Sequence, residues 1–350
     1  MPVFLRRVLA LFVGVALLLL ALELLKRGAA GFGTTLRDLG VRGVAGSLGF
    51  GWLFACVVLS GSPVAAIALS LLAAGSLSPR ESLAMIVGSR LGASFVVLLL
   101  GAIDDLRSKR REQRSAYVGV SAILVTATVY LPAFAIADHA LMEGWWRDLQ
   151  LEGAALKSVV SWFAGPVADL AAQYLPRWVL FVAGVLTLLG ALKTFDGALP
   201  DVTETKLSKG LAAGAIYRPW VMFVVGLAVT SITMSVSVSI SILVPLAAKG
   251  YVRRENLFPY MMGANVTTFI DTLFAGALVG HPDAVRIVAL LMSTVFTFSL
   301  PLVFVIPHRY ERLVDGLARR ATAHLGALVV FVVLLFALPA ALLILSRVAP

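Results

Sequence analysis

The 350-residue chain has a single cysteine, Cys56. No intramolecular disulfide can form, which excludes a secreted disulfide scaffold. Charge is scarce too: Asp, Glu, Lys and Arg make up 14% of the chain, against about 25% in an average soluble domain. That shortage excludes an intrinsically disordered polar chain and a solvent-exposed coiled coil. The four histidines, His139, His281, His308 and His324, include no pair at metal-ligand spacing, so no metal site is expected. HExxH, GxSxG and Walker sequences are missing, and no polar stretch is long enough for an ATPase domain. The chain is therefore not expected to be an enzyme or to carry a cofactor. Acidic residues are the scarcer sign, 19 against 29 basic, for a formal charge of +10. In a soluble protein that imbalance would suggest nucleic acid as a partner. Here no nucleic acid is expected, because basic residues collect in the cytoplasmic loops of membrane proteins.

What the chain has in abundance is apolar surface: 60% apolar residues and a mean hydropathy of +0.95. No water-soluble packing hides that much, so the surrounding solvent must be largely the lipid bilayer. Apolar segments of spanning length fall at 8–25, 44–74, 82–103, 115–137, 178–199, 219–248, 258–280, 285–307 and 325–346. They are too long and too unalternating for barrel strands. The expected class is an all-α polytopic protein of the cell (inner) membrane, with 8–25 as an uncleaved first span.

Two segments are interrupted. Segment 44–74 carries Ser60, Gly61, Ser62 and Pro63 at its middle, and 219–248 carries Thr230, Ser231, Thr233, Ser235, Ser237, Ser239 and Ser241 before Pro245. Such residues at membrane depth mark broken or re-entrant helices, tolerated only inside protein or beside a wet cavity. The interruptions belong to an internal repeat at an offset of 175, half the chain length. Gly51, Gly75, Gly88 and Gly101 match Gly226, Gly250, Gly263 and Gly276, while Ser60 and Ser62 match Ser235 and Ser237. Glycine abundance alone would give about 0.4 glycine matches in that window. Paired, interrupted segments in two halves point to a transporter binding site.

Charge sets the expected topology. Arg107, Lys109, Arg110, Arg111 and Arg114, like Arg309, Arg312, Arg319 and Arg320, belong in cytoplasmic loops. Residues 138–157, acidic and bearing Trp145 and Trp146, suit the outer face. If 44–74 and 219–248 are hairpins, each half crosses three times and the two structural repeats are inverted. This places Lys26, Arg27, Arg37 and Arg42 outside, against the charge rule, and an extra span at 155–175 would change the parity. The expected division is 1–137 for the first repeat, 138–176 for an external region, 177–324 for the second repeat and 325–350 for an additional helix.

The chemistry lies in two stretches per half. Leu59-Ser60-Gly61-Ser62-Pro63 is followed by Gly88-Ser89-Arg90-Leu91-Gly92-Ala93-Ser94, and Met234-Ser235-Val236-Ser237-Val238-Ser239 by Gly263-Ala264-Asn265-Val266-Thr267-Thr268. The second stretch begins 29 residues after the first in both halves. Hydroxyls among small residues serve either close helix packing or, where a helix unwinds, ion and anion binding. These motifs resemble those of the type II sodium/phosphate cotransporter family, which carries twice a Gln-Ser-Ser-Ser motif and a Gly-Ala-Asn-Ile-Gly-Thr-Thr-like motif. The small-small-Gly turn of that family is matched by Ala73-Ala74-Gly75 and Ala247-Ala248-Lys249-Gly250. The resemblance covers mainly 51–103 and 226–278. It implies inverted repeats, sodium as coupling ion and inorganic phosphate as substrate. The motif glutamines are replaced by Leu59 and Met234, the central serines by Gly61 and Val236, and the first asparagine by Arg90.

Carried onto this chain, the resemblance implies Ser60, Ser62, Ser235, Ser237 and Asn265 for the anion, to which Arg90 is added on its charge. It implies Ser239, Thr267 and Thr268 for the cation, to which Asp271 is added as an ionisable residue inside an apolar segment. Two readings of Asp271 stand: a cation or proton site, or a structural partner for Arg90, whose guanidinium otherwise suits an oxyanion. Asp196 is read as interfacial or helix-terminal. The expected function is sodium-coupled phosphate transport by alternating access. The alternatives are export of phosphate or another anion, and a transport-inactive membrane partner or sensor.

Overall fold

The computed structural model describes residues 3–30, 32–107, 114–148, 162, 164–198, 218–236, 238–240, 242–243, 252 and 254–348. All elements among them are helical. They are α1 (Val3–Ala29), α2 (Phe32–Asp38), α3 (Gly43–Val58), α4 (Ser62–Ala73), α5 (Pro79–Ala93), α6 (Phe95–Arg107), α7 (Arg114–Met142) and α8 (Gly165–Tyr174), then α9 (Arg177–Ala198), α10 (Pro219–Thr233), α11 (Arg254–Thr267), α12 (Ile270–Val279), α13 (Pro282–Phe304), α14 (Pro307–Ala321) and α15 (Leu325–Val348).

Among the described residues, seven stretches are long and apolar enough to cross a bilayer: Arg6–Ala29, Pro79–Ile103, Ser115–Met142, Arg177–Thr194, Asn256–Val279, Pro282–Phe304 and Leu325–Val348. The protein is a multi-pass membrane protein. Large apolar side chains stand exposed along α9 and α15, among them Val182, Leu186, Leu334, Leu338 and Leu345. In water such a surface would be an aggregation hazard; in a bilayer it is the lipid-facing wall.

The interrupted segment 44–74 is two helices, with α3 stopping at Val58 and α4 starting at Ser62. It is also preceded by an element the hydropathy pattern missed: α2 meets α3 at 86°. The Arg42 guanidinium donates to the Arg37 carbonyl across that bend. Segment 115–137 extends to Met142 within α7. In 155–175 the described helix is α8, ten residues long, far short of the roughly 20 that a spanning helix needs. It is tied to α1 instead, by Arg27 Nη1 to Asp169 at 2.7 Å and to the Gly165 carbonyl at 3.1 Å.

Glycine decides which helices touch. A Cβ on Gly51 would overlap the Met85 carbonyl oxygen, and one on Gly88 that of Leu48, so α3 and α5 lie backbone to backbone. The second half does the same: Gly226 faces the Tyr260 carbonyl and Gly263 that of Phe223, joining α10 to α11. All four contacts correspond at the 175-residue offset seen in the sequence. Without a hydrophobic driving force between helices in lipid, such small-residue contacts are where association energy comes from.

The ends of the helices are fixed by polar contacts. Ser76 Oγ donates to the Ala29 carbonyl at 2.7 Å, Gly43 N–H to Glu81 at 3.0 Å, and Arg80 forms a fork on Asp138 at 2.7 and 2.8 Å. The start of α3, the end of α4, the start of α5 and the end of α7 therefore share one end of the molecule. At the other end Tyr117 donates to Asp315 at 2.6 Å, and Asp315 also holds Arg319 at 2.7 Å. Thr128 and Tyr310 share a 2.7 Å hydrogen bond, with burial pushing the Tyr310 hydroxyl up to about 12 so that it stays protonated. These bonds lay α14 along the first half of α7.

Candidate functional site

Helix breaks in the two halves meet at one place. Leu59 closes α3 with φ 57° and Met234 closes α10 with φ 49°, both left-handed, and the positions correspond at the repeat offset. Leucine and methionine gain nothing from that conformation, so at both matched positions the surrounding structure holds a strained backbone. Two of the long spans carry a short irregularity nearby, Pro79–Ile103 at Ser94 between α5 and α6, and Asn256–Val279 at Thr268–Phe269 between α11 and α12, and each runs on past it as one span. Two helices, α3 and α10, thus end inside the protein, as half-helices do around transporter sites.

Between these breaks lies a cavity of about 260 Å³. Its polar lining is Ser60 and Ser62 from the first half and Ser235, Asp271 and Thr272 from the second. Leu18, Leu188 and Leu192, from α1 and α9, make an apolar wall. Ser62 opens α4, whose N-cap residue Gly61 offers no side chain to the orphan N–H groups. Ser235 Oγ accepts from the Val238 N–H at 3.3 Å.

Arg90 sits behind Asp271 and is only 2% exposed. It lies in the last turn of α5, and Asp271 in the first turn of α12. Each charge is therefore at the helix end whose dipole favours it. The Arg90 guanidinium bridges three oxygens. Nη1 donates to Thr268 Oγ1 at 3.3 Å, and Nη2 to Asp271 Oδ1 at 3.4 Å and, more closely, to Thr272 Oγ1. Its carbon lies 5.1 Å from the Phe269 ring centroid, a cation–π contact. The pair is incomplete: Asp271 Oδ2 and Arg90 Nε are buried without a hydrogen-bond partner. Asp271 thus lines the cavity as a residue while its Oδ2 is buried and unpartnered.

The remaining sequence candidates lie elsewhere. Ser239 Oγ accepts from Thr230 Oγ1 at 2.7 Å and shares a 2.9 Å bond with Tyr260. Thr267 Oγ1 donates to the Leu227 carbonyl at 3.0 Å. Asn265 turns toward α7, with Nδ2 on Thr126 at 3.3 Å and its carbonyl accepting from Tyr130 at 2.6 Å. Thr268 reaches the site only through Arg90. Ser237 and the side chain of Asp196 lie outside the described residues. Thr272 was not singled out in the sequence, although a hydroxyl next to an intramembrane carboxylate is a visible signal.

The second-half breaks and Asp271 all fall in one recognisable stretch. Residues 187–339 match the Na+/Pi-cotransporter family. The match takes in Ser235, Asn265, Thr267, Thr268 and Asp271 and leaves Ser60, Ser62 and Arg90 outside it. The Na+/Pi-cotransporter family is one of transporters, not enzymes. No curated protein and no solved structure matches the chain.

Proposed function

We propose that the protein is a secondary transporter that couples movement of inorganic phosphate to sodium by alternating access around the cavity. The observation that carries this reading is the convergence of Ser60 and Ser62 with Ser235 and Asp271 on one 260 Å³ space between the halves. Hydroxyls, the uncapped N-terminus of α4 and the guanidinium behind the wall suit a tetrahedral oxyanion. The Asp271 carboxylate suits the cation. The family match supplies the pairing of sodium with phosphate.

The two halves, 1–137 and 177–324, are read as inverted repeats, with 138–176 as the external connection and 325–350 as an added helix. In support, the α3–α4 hairpin has both its ends at the Ala29–Asp138 end of the molecule. Pro219, at the start of α10, and Asn256, near the start of α11, lie beside Tyr310 at the opposite end. The orientation is testable in a Cys56→Ala background. A cysteine at Glu143 is expected to react with a membrane-impermeant maleimide added outside cells, and one at Arg312 to be protected. The reverse pattern would turn the protein over; reaction at both would break the crossing scheme.

The function itself is tested by uptake of labelled phosphate into liposomes under a sodium gradient. Ser62→Leu and Ser235→Leu put a branched apolar side chain into the cavity. Each is expected to cut uptake at least tenfold while elution from a sizing column stays unchanged. Normal uptake by both variants would move the site elsewhere. Wild-type protein that moves no phosphate in either direction would favour the partner or sensor reading, to which the loss of both motif glutamines, at Leu59 and Met234, already points.

A further inference from the structure

The oxygens that the sequence offers to a cation are held by a side chain of the other half. Thr268 Oγ1 and Asp271 Oδ1, both in that predicted set, and the adjoining Thr272 Oγ1 all contact the Arg90 guanidinium. The same guanidinium also borders the anion side. A Cβ on Gly61, the N-cap of α4, would lie 3.3 Å from Arg90 Nη1. A side chain at position 61 would crowd Nη1, so the bare glycine and the arginine fit as a pair.

We propose that Arg90 is a built-in counter-ion that competes with sodium for the Asp271–Thr268–Thr272 oxygens and, once sodium takes them, turns its charge to the oxyanion beside Gly61. The inference rests on the transport reading above and adds the device that couples its two ligands. Asp271 and Arg90 neutralise one another in the structure. Sodium arriving alone would leave the guanidinium without a counter-charge at a site 2% exposed, and phosphate arriving alone would leave the carboxylate so. Sodium and phosphate arriving together replace one ion pair with two. Neither ligand binds well without the other, and linkage makes the effect reciprocal. The loose ion pair is what exchange requires: one 3.4 Å contact rather than a fork, with Asp271 Oδ2 and Arg90 Nε both buried without a hydrogen-bond partner.

The experiment is equilibrium binding of radioactive sodium to the purified full-length protein, with and without inorganic phosphate, beside liposome uptake. In the wild type, phosphate is expected to lower the half-saturating sodium concentration by about fivefold or more, the lower end of measured couplings. Arg90→Gln should bind sodium more tightly without phosphate, and phosphate should no longer change that affinity. Arg90→Lys keeps the charge and should keep part of the response. Arg90→Gln with sodium affinity and phosphate response both unchanged would overturn the proposal. So would an absence of sodium binding in wild type and variant alike. Failure of phosphate uptake with the sodium competition intact would instead count against the transport reading, so the two failures are distinguishable.

Discussion

Gly88→Leu and Gly263→Leu are each expected to leave no monodisperse protein in detergent, the largest stability effects foreseen in this fold. Gly88 abuts the Leu48 carbonyl oxygen and Gly263 that of Phe223. A flexible side-chain neighbour could rotate away from a new methyl group, but a helix backbone cannot. The helices must part, and α3–α5 and α10–α11 are the contacts that hold the half-helices around the cavity. Overpacking a well-packed core typically costs about 1–3 kcal/mol and sometimes more. Here the loss spreads along a whole interface. Alanine at either position should already lower the melting temperature, although glycine to alanine inside a free helix gains up to about 1 kcal/mol. Gly190 in α9 is the control, because a Cβ there meets nothing within 4 Å, and Gly190→Ala should be neutral or stabilising. Size-exclusion profiles and thermal unfolding in detergent read all of these. Gly88→Leu eluting as a folded monomer at wild-type yield would mean that α3 and α5 do not pack as described.

Those glycines were legible because a backbone-to-backbone approach excludes every other residue, so the contact leaves its mark in composition. The breaks at Ser60–Ser62 and Ser235 were legible for a similar reason, through hydroxyls and proline in otherwise apolar segments. The left-handed residues themselves, Leu59 and Met234, carried no such mark. Nor did the 86° bend between α2 and α3, since α2 is only seven residues long. Within the candidate site the sequence placed Ser60, Ser62, Ser235 and Asp271 together but did not separate them from Ser239, Asn265 and Thr267. A hydroxyl or amide closed on an internal partner and one open to a cavity have the same letter. What separates them is the position of Leu227, Tyr260 and Thr126 in space. The apolar wall of Leu18, Leu188 and Leu192 was invisible for the opposite reason: in a chain this hydrophobic, three more leucines carry no signal.

Asp271→Asn is expected to abolish sodium-driven phosphate uptake, and adding Arg90→Gln should restore the stability of the protein but not its transport. The single variant does two things at once. It removes the one carboxylate that lines the cavity among the described residues, and it strands a guanidinium that is 2% exposed and touches Thr268, Asp271 and Thr272. Breaking a buried pair from one side typically costs about 3–5 kcal/mol, mostly from the charge left behind. Asp271→Asn and Arg90→Gln should therefore each lower the melting temperature, and each leaves the opposite charge exposed to the same loss. In the double variant no charge is stranded, so the stability of a purely structural pair would return and its transport with it. A carboxylate that holds sodium behaves differently. Asparagine keeps the shape and one carbonyl oxygen but lacks the charge that offsets the desolvation of the ion. Glutamine at 90 likewise lacks the fixed charge that meets an oxyanion. The expected pattern is a melting temperature near wild type in the double variant, with uptake still down at least tenfold and no longer raised by a sodium gradient. Thermal unfolding and liposome uptake, measured on the wild type, both single variants and the double, distinguish the cases. Full recovery of uptake in the double variant would reduce Arg90 and Asp271 to a clasp between the two halves and move the cation site away from α12.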